Sequence, residues 1–397
     1  MKWLLSLLLV LVLGFGGWWA LAPGEQPQPR AQLSDLQSAD DTSKYARVTA
    51  PRAFVFPQDH GPHKDYQTEW WYYTGNLTNP VGRHFGYQLT IFRRSIAPAD
   101  NTQSDSLSPA SGAGSPSWTT NQIYFAHFAV TDTEADKHVA FERLERGGAG
   151  LSGASGAPFN VWIDDWRVDS LSASGDSVAL VASDGQTSIN LNLRSTKPVV
   201  KQGDDGMSQK SAERGNASYY YSFTRLASAG TVTTASGKFQ VTGTSWMDHE
   251  WSTSALGKNA VGWDWFALQL SDNREIMLYK LRNADGTYDP VSGGTLVEPD
   301  GTTHKLGIND FVAEPLVGRW HSPDSQGDYP LQWNVKLPAY GLAIEITPRI
   351  NAQEMGTGSG IYWEGAITIK GTSAGAPVTG LGYLELTGYK GTLQGKV

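Results

Sequence analysis

The chain has 397 residues, long enough for two domains that each bury a core. Its 31 basic and 39 acidic residues give a net charge of -8, so there is no basic face to hold phosphates and nucleic acid is excluded as a partner. Cysteine is absent, which removes disulfides, thiolate nucleophiles, iron–sulfur clusters, cysteine zinc sites and a lipidated cysteine.

The 44 glycines, 15 tryptophans and 16 tyrosines, with short alternating segments throughout, predict an all-β protein rich in turns. Met1-Lys2 and the apolar run Trp3 to Ala22 read as an export signal, with Ala20-Leu21-Ala22 fitting a small-x-small cleavage site. A run of about 20 apolar residues is also long enough to span a bilayer, so 1–22 is a signal peptide or a membrane anchor. Either way the body is exported, to the periplasm or the outer face of the inner membrane. Residues 23–49 are polar and predict a disordered tether.

Residues 50–235 predict a first barrel. One face of the segment Glu69-Trp70-Trp71-Tyr72-Tyr73 carries Glu69, Trp71 and Tyr73, the other Trp70 and Tyr72. A carboxylate sharing a sheltered face with two aromatics is a pocket residue, which favours Glu69, Trp71 and Tyr73. Phe85 to Arg93 reads as the return strand, and the Ser/Pro-rich stretch 96–117 as a surface loop. His127 lies in the apolar strand Gln122 to Val130, where a hydrogen-bonded core histidine is the stronger reading. Further strands run to Arg225, and Ser228-Ala-Gly230 opens a boundary zone over 228–238. Residues 236–397 predict a second barrel that repeats the first in outline, since Trp263 to Arg282 lays out an aromatic strand, a turn and an apolar strand much as Trp70 to Arg93 does.

The densest chemistry lies in Gly243-Thr-Ser-Trp-Met-Asp-His-Glu-Trp251 and Trp263-Asp264-Trp265. Here one imidazole, His249, and three acids, Asp248, Glu250 and Asp264, interleave with Trp246, Trp251, Trp263 and Trp265. Buried carboxylates are costly unless paired or protonated, so the mixture fits a lined pocket; a half-buried strand shows the same alternation, and both readings stand. His60, His63, Asp65, His127 and His249 match no metal-ligand spacing, and no metal is expected. Glu69, Glu250 and Glu364 on Trp-rich strands keep a glycosidase open.

The runs His63 to Tyr72, Phe125 to Phe128, Trp246 to Trp251, Gly262 to Phe266, Tyr362 to Gly365 and Gly382 to Tyr389 resemble, in order, those of the AttH-like, lipocalin-like family that includes the carotenoid 1,2-hydratases. The resemblance implies two lipocalin-like antiparallel β-barrels packed together, export, and for the hydratase branch a cofactor-free addition of water to an isoprenoid double bond. It maps the functional positions onto His249, Trp251 and Asp264. Asp248, Glu250, Glu69 and His127 are then supporting residues, and Trp71, Tyr73, Trp246, Trp263, Trp265 and Tyr362 line the substrate site. Where the hydratase branch carries a tyrosine, this chain has Gly262, which leaves the substrate open.

Spacing and resemblance together suggest a division of labour. Asp264, desolvated between two indoles, stays protonated as the acid; Trp251 faces the cation, a contact worth up to ~2 kcal/mol; His249 orients the water, and Asp248 or Glu250 fixes its tautomer. The expected function is a cofactor-independent hydratase or hydrolase acting on a hydrophobic, isoprenoid or lipid-like ligand. The alternatives are a non-catalytic lipid carrier working with membrane exporter components, and a carbohydrate-active hydrolase.

Overall fold

The structure, a computed structural model, describes residues 42–98, 120–253 and 256–391. The export or anchor segment 1–22, the first part of the tether and most of the Ser/Pro-rich stretch lie outside the described residues. The tether as read from sequence is too long. Tyr45 and Val48 are already buried, and the Tyr45 hydroxyl donates to the Ser95 carbonyl at 3.0 Å, so the packed chain begins before residue 50.

Among the described residues the chain is strand almost throughout, as its alternating aromatic and β-branched segments demand. The first sheet opens with β1 (Thr68–Thr78), β2 (His84–Ser95), β3 (Gln122–Asp132) and β4 (Lys137–Arg146). It continues through β5 (Ser152–Gly156), β6 (Phe159–Ile163), β7 (Trp166–Ser170), β8 (Ser177–Asp184) and β9 (Thr187–Ser195). The short β10 (Val200–Lys201) and β11 (Met207–Gln209) precede the long hairpin of β12 (Ala217–Thr234) and β13 (Gly237–Ser252). Their spatial order is β4-β3-β2-β1-β13-β12-β9-β8-β7-β6-β5, antiparallel at every ladder. Because β6 packs back against β2, β3 and β4, the sheet curls into a nearly closed barrel.

The second sheet starts with β14 (Ala260–Leu270), β15 (Glu275–Asn283), β16 (Gly293–Val297), β17 (Thr303–Gly307) and β18 (Val312–Pro315). A detached pair, β19 (Trp320–His321) and β20 (Asp328–Tyr329), precedes β21 (Trp333–Leu337) and β22 (Leu342–Pro348). The sheet is completed by β23 (Glu354–Gly356), β24 (Ile361–Ser373) and β25 (Ala376–Leu386), in the order β17-β16-β15-β14-β25-β24-β22-β21-β18. In both sheets the first strand pairs with the last, β1 with β13 and β14 with β25, so the shared outline of the two halves extends to their topology. The fold is all-β, as expected. The boundary is not: β13 is the closing strand of the first barrel, so the break falls after Ser252 rather than at 235/236, which lies in the turn of the β12–β13 hairpin.

Two cores fill the inner faces. Trp71, Tyr73, Phe128, Trp166 and Trp251 belong to the first, and Phe266, Trp333, Ile344, Trp363 and Leu384 to the second. A third cluster lies between the sheets and is built from their outer faces, with Tyr72, Tyr220 and Trp246 against Trp265, Met277, Ala366 and Tyr383. The approach is close at Gly86 on β2, where a Cβ would stand 2.8 Å from that of Ala366 and 2.9 Å from the Tyr383 hydroxyl. A buried ion cluster joins the sheets at one edge. Glu275 of β15 accepts from Arg225 of β12 at 2.5 Å and from Lys197 at 2.7 Å, and its side chain is fully buried.

Removing the shared anion strands two cations. Glu275→Ala is expected to cost about 3–5 kcal/mol in urea unfolding; a loss below about 1 kcal/mol would show the clamp to be incidental.

Candidate active site

Strand alternation divides the Asp-His-Glu-Trp run between two environments. On β13, Met247, His249 and Trp251 point into the first barrel, whereas Trp246, Asp248 and Glu250 point out toward the second sheet. The β14 strand repeats the split: Asp264 and Phe266 face the second core, while Trp263 and Trp265 face the gap between the sheets.

The inward groups form a closed polar network. Glu69 accepts from His249 Nε2 at 2.9 Å, His63 Nδ1 at 2.7 Å and Arg93 Nε at 2.8 Å. Burial opposes its charge, but Arg93 and the imidazoles outweigh burial and hold the carboxyl well below its usual range. Burial pushes the His249 imidazole down, and the Trp251 ring stacks on His63 at 3.7 Å. His63, Glu69 and His249 offer atoms within 4.8 Å of one another that could ligate a metal. Arg93, fully buried against Glu69, already supplies the positive charge, so a divalent ion there would meet a guanidinium.

The outward groups line a cavity of about 270 Å³ between the sheets. Its aromatic wall includes Trp70, Tyr72, Phe92, Phe125, Tyr220, Trp263, Trp265 and Tyr279. Four acids face it, Asp248 and Glu250 from the first barrel and Glu364 and Glu385 from the second sheet. Glu250 is paired with Lys210 at 2.5 Å. Asp248 is capped instead by neutral donors, the Tyr220 hydroxyl at 2.8 Å and the Trp246 indole at 2.8 Å, with Ser222 on the same oxygen as the indole. Burial lifts Asp248 to about 7 against the pull of those hydrogen bonds.

Glu364 and Glu385 are direct cross-strand partners on β24 and β25. Facing carboxyls on neighbouring strands lie about 5 Å apart at Cβ, and two negative charges that close, out of water, cannot both persist. Among the described residues neither has a Lys or Arg ion pair. Burial and then the charge of Glu385 push Glu364 well above the usual range, despite hydrogen bonds from Tyr72 and Tyr362. Burial lifts Glu385 to about 7, although the Trp263 indole donates to it at 2.9 Å. The pair therefore shares a proton near neutrality. Chemically, the cavity offers a neutral carboxylic acid on one wall, a carboxyl poised near pH 7 on the other, and indole and phenol faces between them.

The AttH-like family matches residues 47–389. This chain belongs to that family. A crystal structure of an AttH from Nitrosomonas europaea is similar at 30% identity and a TM-score of 0.74, over 87% of this chain and 99% of that one. Kievitone hydratase from Nectria haematococca shares the fold at 16% identity and a TM-score of 0.63, over 88% of this chain and 98% of that one. The dehydratase asqC of Emericella nidulans is 25% identical over 150 residues, so the chain matches 41% of the length of that curated relative.

In this AttH-like chain the residues singled out from sequence separate. Asp248, Glu250, His127, Trp263, Trp265 and Tyr362 line the cavity, and Trp246 holds Asp248 from behind. His249, Trp251, Glu69, Trp71 and Tyr73 lie in the first barrel's core instead. Asp264 is in the second core, where burial raises its carboxyl against Arg282 and Tyr389. His249 and Asp264 thus do not converge on one hollow, because each is one residue out of phase with the cavity-facing positions of its strand. His127, read from sequence as a core histidine first, is on the cavity wall and bonds Tyr362 at 2.7 Å. Gly262 is constrained as well: a Cβ there would lie 2.4 Å from the Thr387 carbonyl, so no tyrosine fits. Sequence reasoning missed Tyr72, Tyr220, Lys210 and Glu385. Glu385 shares alternation with Tyr383 much as Glu364 does with Tyr362, but only the β24–β25 register shows that the two acids meet.

These raised carboxyls have a measurable consequence. A folded acid that keeps its proton while the unfolded chain has lost it destabilises the fold as pH rises. For Glu385 that window runs from the ordinary 4.5 to about 7. Glu385→Gln and Asp248→Asn are each expected to flatten the fall in unfolding free energy between pH 5 and 7, by up to about 1.4 kcal/mol per pH unit. Chemical denaturation across that range checks it; slopes equal to the parent's would mean both groups ionise freely.

Proposed function

We propose that this protein is a hydro-lyase that adds water to, or removes it from, a carbon–carbon double bond in a hydrophobic, isoprenoid or lipid-like substrate held in the cavity between the sheets. The observation that carries this is the Glu364–Glu385 pair, opposed, without an ion-pair partner among the described residues and held protonated under aromatic walls. In the hydration direction the pair's O–H bond breaks and its proton goes to one alkene carbon. The cation left on the other carbon faces π-clouds of Trp70, Trp263 and Trp265, each worth up to ~2 kcal/mol when water is excluded. Water oxygen attacks that carbon as Asp248, on the opposite wall, takes the water's proton. Elimination is the same sequence reversed. No cofactor enters these steps. The relatives named as a hydratase and a dehydratase support this class of chemistry. The apolar run 3–22 supports export to the periplasm or the outer face of the inner membrane, where such a ligand partitions at a bilayer.

The test is turnover of a panel of prenylated and isoprenoid alkenes in oxygen-18 water, with label expected in the product alcohol. Glu364→Gln should lower kcat at least about 100-fold with little change in KM. The pH profile should be a bell near neutrality, its alkaline limb from loss of the pair's proton and its acid limb from protonation of Asp248. Tight binding of these alkenes without turnover, weakened by the same variants, would assign the cavity to a carrier that hands its ligand to membrane exporter components. Turnover of oligosaccharides instead would return the carboxylates to glycosidase chemistry.

A further inference from the structure

A polar chain outside these steps crosses the interface at one end of the cavity. His127 of β3 is 4 % exposed, with the rings of Phe92 and Phe125 at 5.3 and 5.9 Å. Both its nitrogens are engaged. Nδ1 meets the Tyr362 hydroxyl at 2.7 Å, and Nε2 meets the Ser359 hydroxyl at 2.7 Å and Glu142 Oε2 at 3.2 Å. Glu142 is the partly exposed end, its side chain 19% accessible, and it accepts the Ser359 backbone N–H at 2.9 Å. At the other end Tyr362 stands beside Glu364, two residues along the same face of β24 and on the same cavity wall. Glu142 and His127 come from the first barrel, Ser359, Tyr362 and Glu364 from the second sheet, so the chain exists only where the two meet.

We propose that Ser359, His127 and Tyr362, with Glu142 as counter-charge, form a proton relay from the cavity rim to Glu364. The proposal rests on reading Glu364 as the acid. With acid and base on opposite walls, each hydration leaves Glu364 short of a proton and Asp248 with one too many, and a ligand filling the cavity blocks the direct return. Glu364 itself is 2 % exposed.

The proton balance follows from the hydrogen bonds. Tyr362 has a single proton, and when that proton is turned to Glu364 its oxygen accepts from His127 Nδ1–H. Nε2 then carries no proton and stands beside the Ser359 hydroxyl, which donates to Glu142. A proton arriving at Nε2 from solvent makes the imidazolium, which donates toward Glu142. Burial opposes the charge of Glu142, but hydrogen bonds from His127 and Ser359 hold its carboxyl at about 2, so it stays ionised and balances the cation. The imidazolium releases Nδ1–H to the Tyr362 oxygen as the phenol passes its own proton to Glu364. One proton enters, one is delivered, and a ring left with its hydrogen on the other nitrogen resets by exchange at the rim. His127 thus acts through Glu364 and need not touch the substrate.

The decisive measurement requires no substrate. In stopped-flow pH jumps across neutrality, with the cavity filled by an unreactive saturated isoprenoid hydrocarbon, the infrared carboxylic-acid band that Glu364→Gln abolishes reports protonation of the pair while the direct route is blocked. His127→Gln and the nearly isosteric Tyr362→Phe are each expected to slow that band at least about tenfold while leaving the circular dichroism of the fold unchanged. A band that responds at the parent rate in both variants overturns the relay. If turnover is also found, the same variants should lower kcat about tenfold at unchanged KM, and added imidazole should restore His127→Ala. Slowed infrared kinetics with no turnover on any alkene would keep the relay and discard the hydro-lyase.

Discussion

Taking carboxyl groups out of water is the constraint around which the interface is built. Asp248, Glu364 and Glu385 sit between two sheets whose touching faces are largely aromatic, and among the described residues only Glu250 of the cavity acids has a cation, Lys210, paired with it. An isolated carboxylate in such a place would cost many kcal/mol. The fold avoids that cost by leaving the groups protonated or half-protonated and by giving them neutral donors, the hydroxyls of Tyr72, Tyr220 and Ser222 and the indoles of Trp246 and Trp263. A carboxyl that is neutral at pH 7 is what the proposed proton donation requires, and the desolvation that strains the interface is what keeps it neutral.

The first barrel solves the problem of buried charge in opposite ways on the two faces of the same strands. Inside the first, Glu69 stays ionised because Arg93 is fully buried against it and two imidazoles donate to it. Outside, a few ångströms through β1 and β13, Asp248 is met by neutral donors instead of a cation and its carboxyl is lifted. The inner network fixes β13 rigidly in register with β1, and that register holds Tyr72 opposite Asp248 and Trp70 opposite Glu250. Polar residues that never reach the cavity therefore still govern its geometry.

The shared topology of the two halves supplies the rest of the design. Each half closes its first strand onto its last, and in each the last strand carries an aromatic and then an acid on the outward face, Trp246 and Asp248 in one, Tyr383 and Glu385 in the other. Packing two such faces together brings acids to both walls of one cavity, an arrangement neither half could offer alone. The Glu275 cluster with Arg225 and Lys197 ties the edge of that contact.

Composition, alternation and motif order were enough to determine an all-β chain in two related halves, and the density of indoles and acids around residues 246 to 265 marked two of the strands that line the cavity. Individual site residues were less legible. A strand's side chains alternate between faces, so Asp248 and His249 look equally placed in the sequence, and nothing in a linear pattern says which face meets a core and which meets a second sheet that covers both. The tertiary structure decided that assignment. It also brought Glu364 opposite Glu385, and His127 to Tyr362 across 235 residues, because pairing register and docking of separate sheets depend on contacts far apart in the chain.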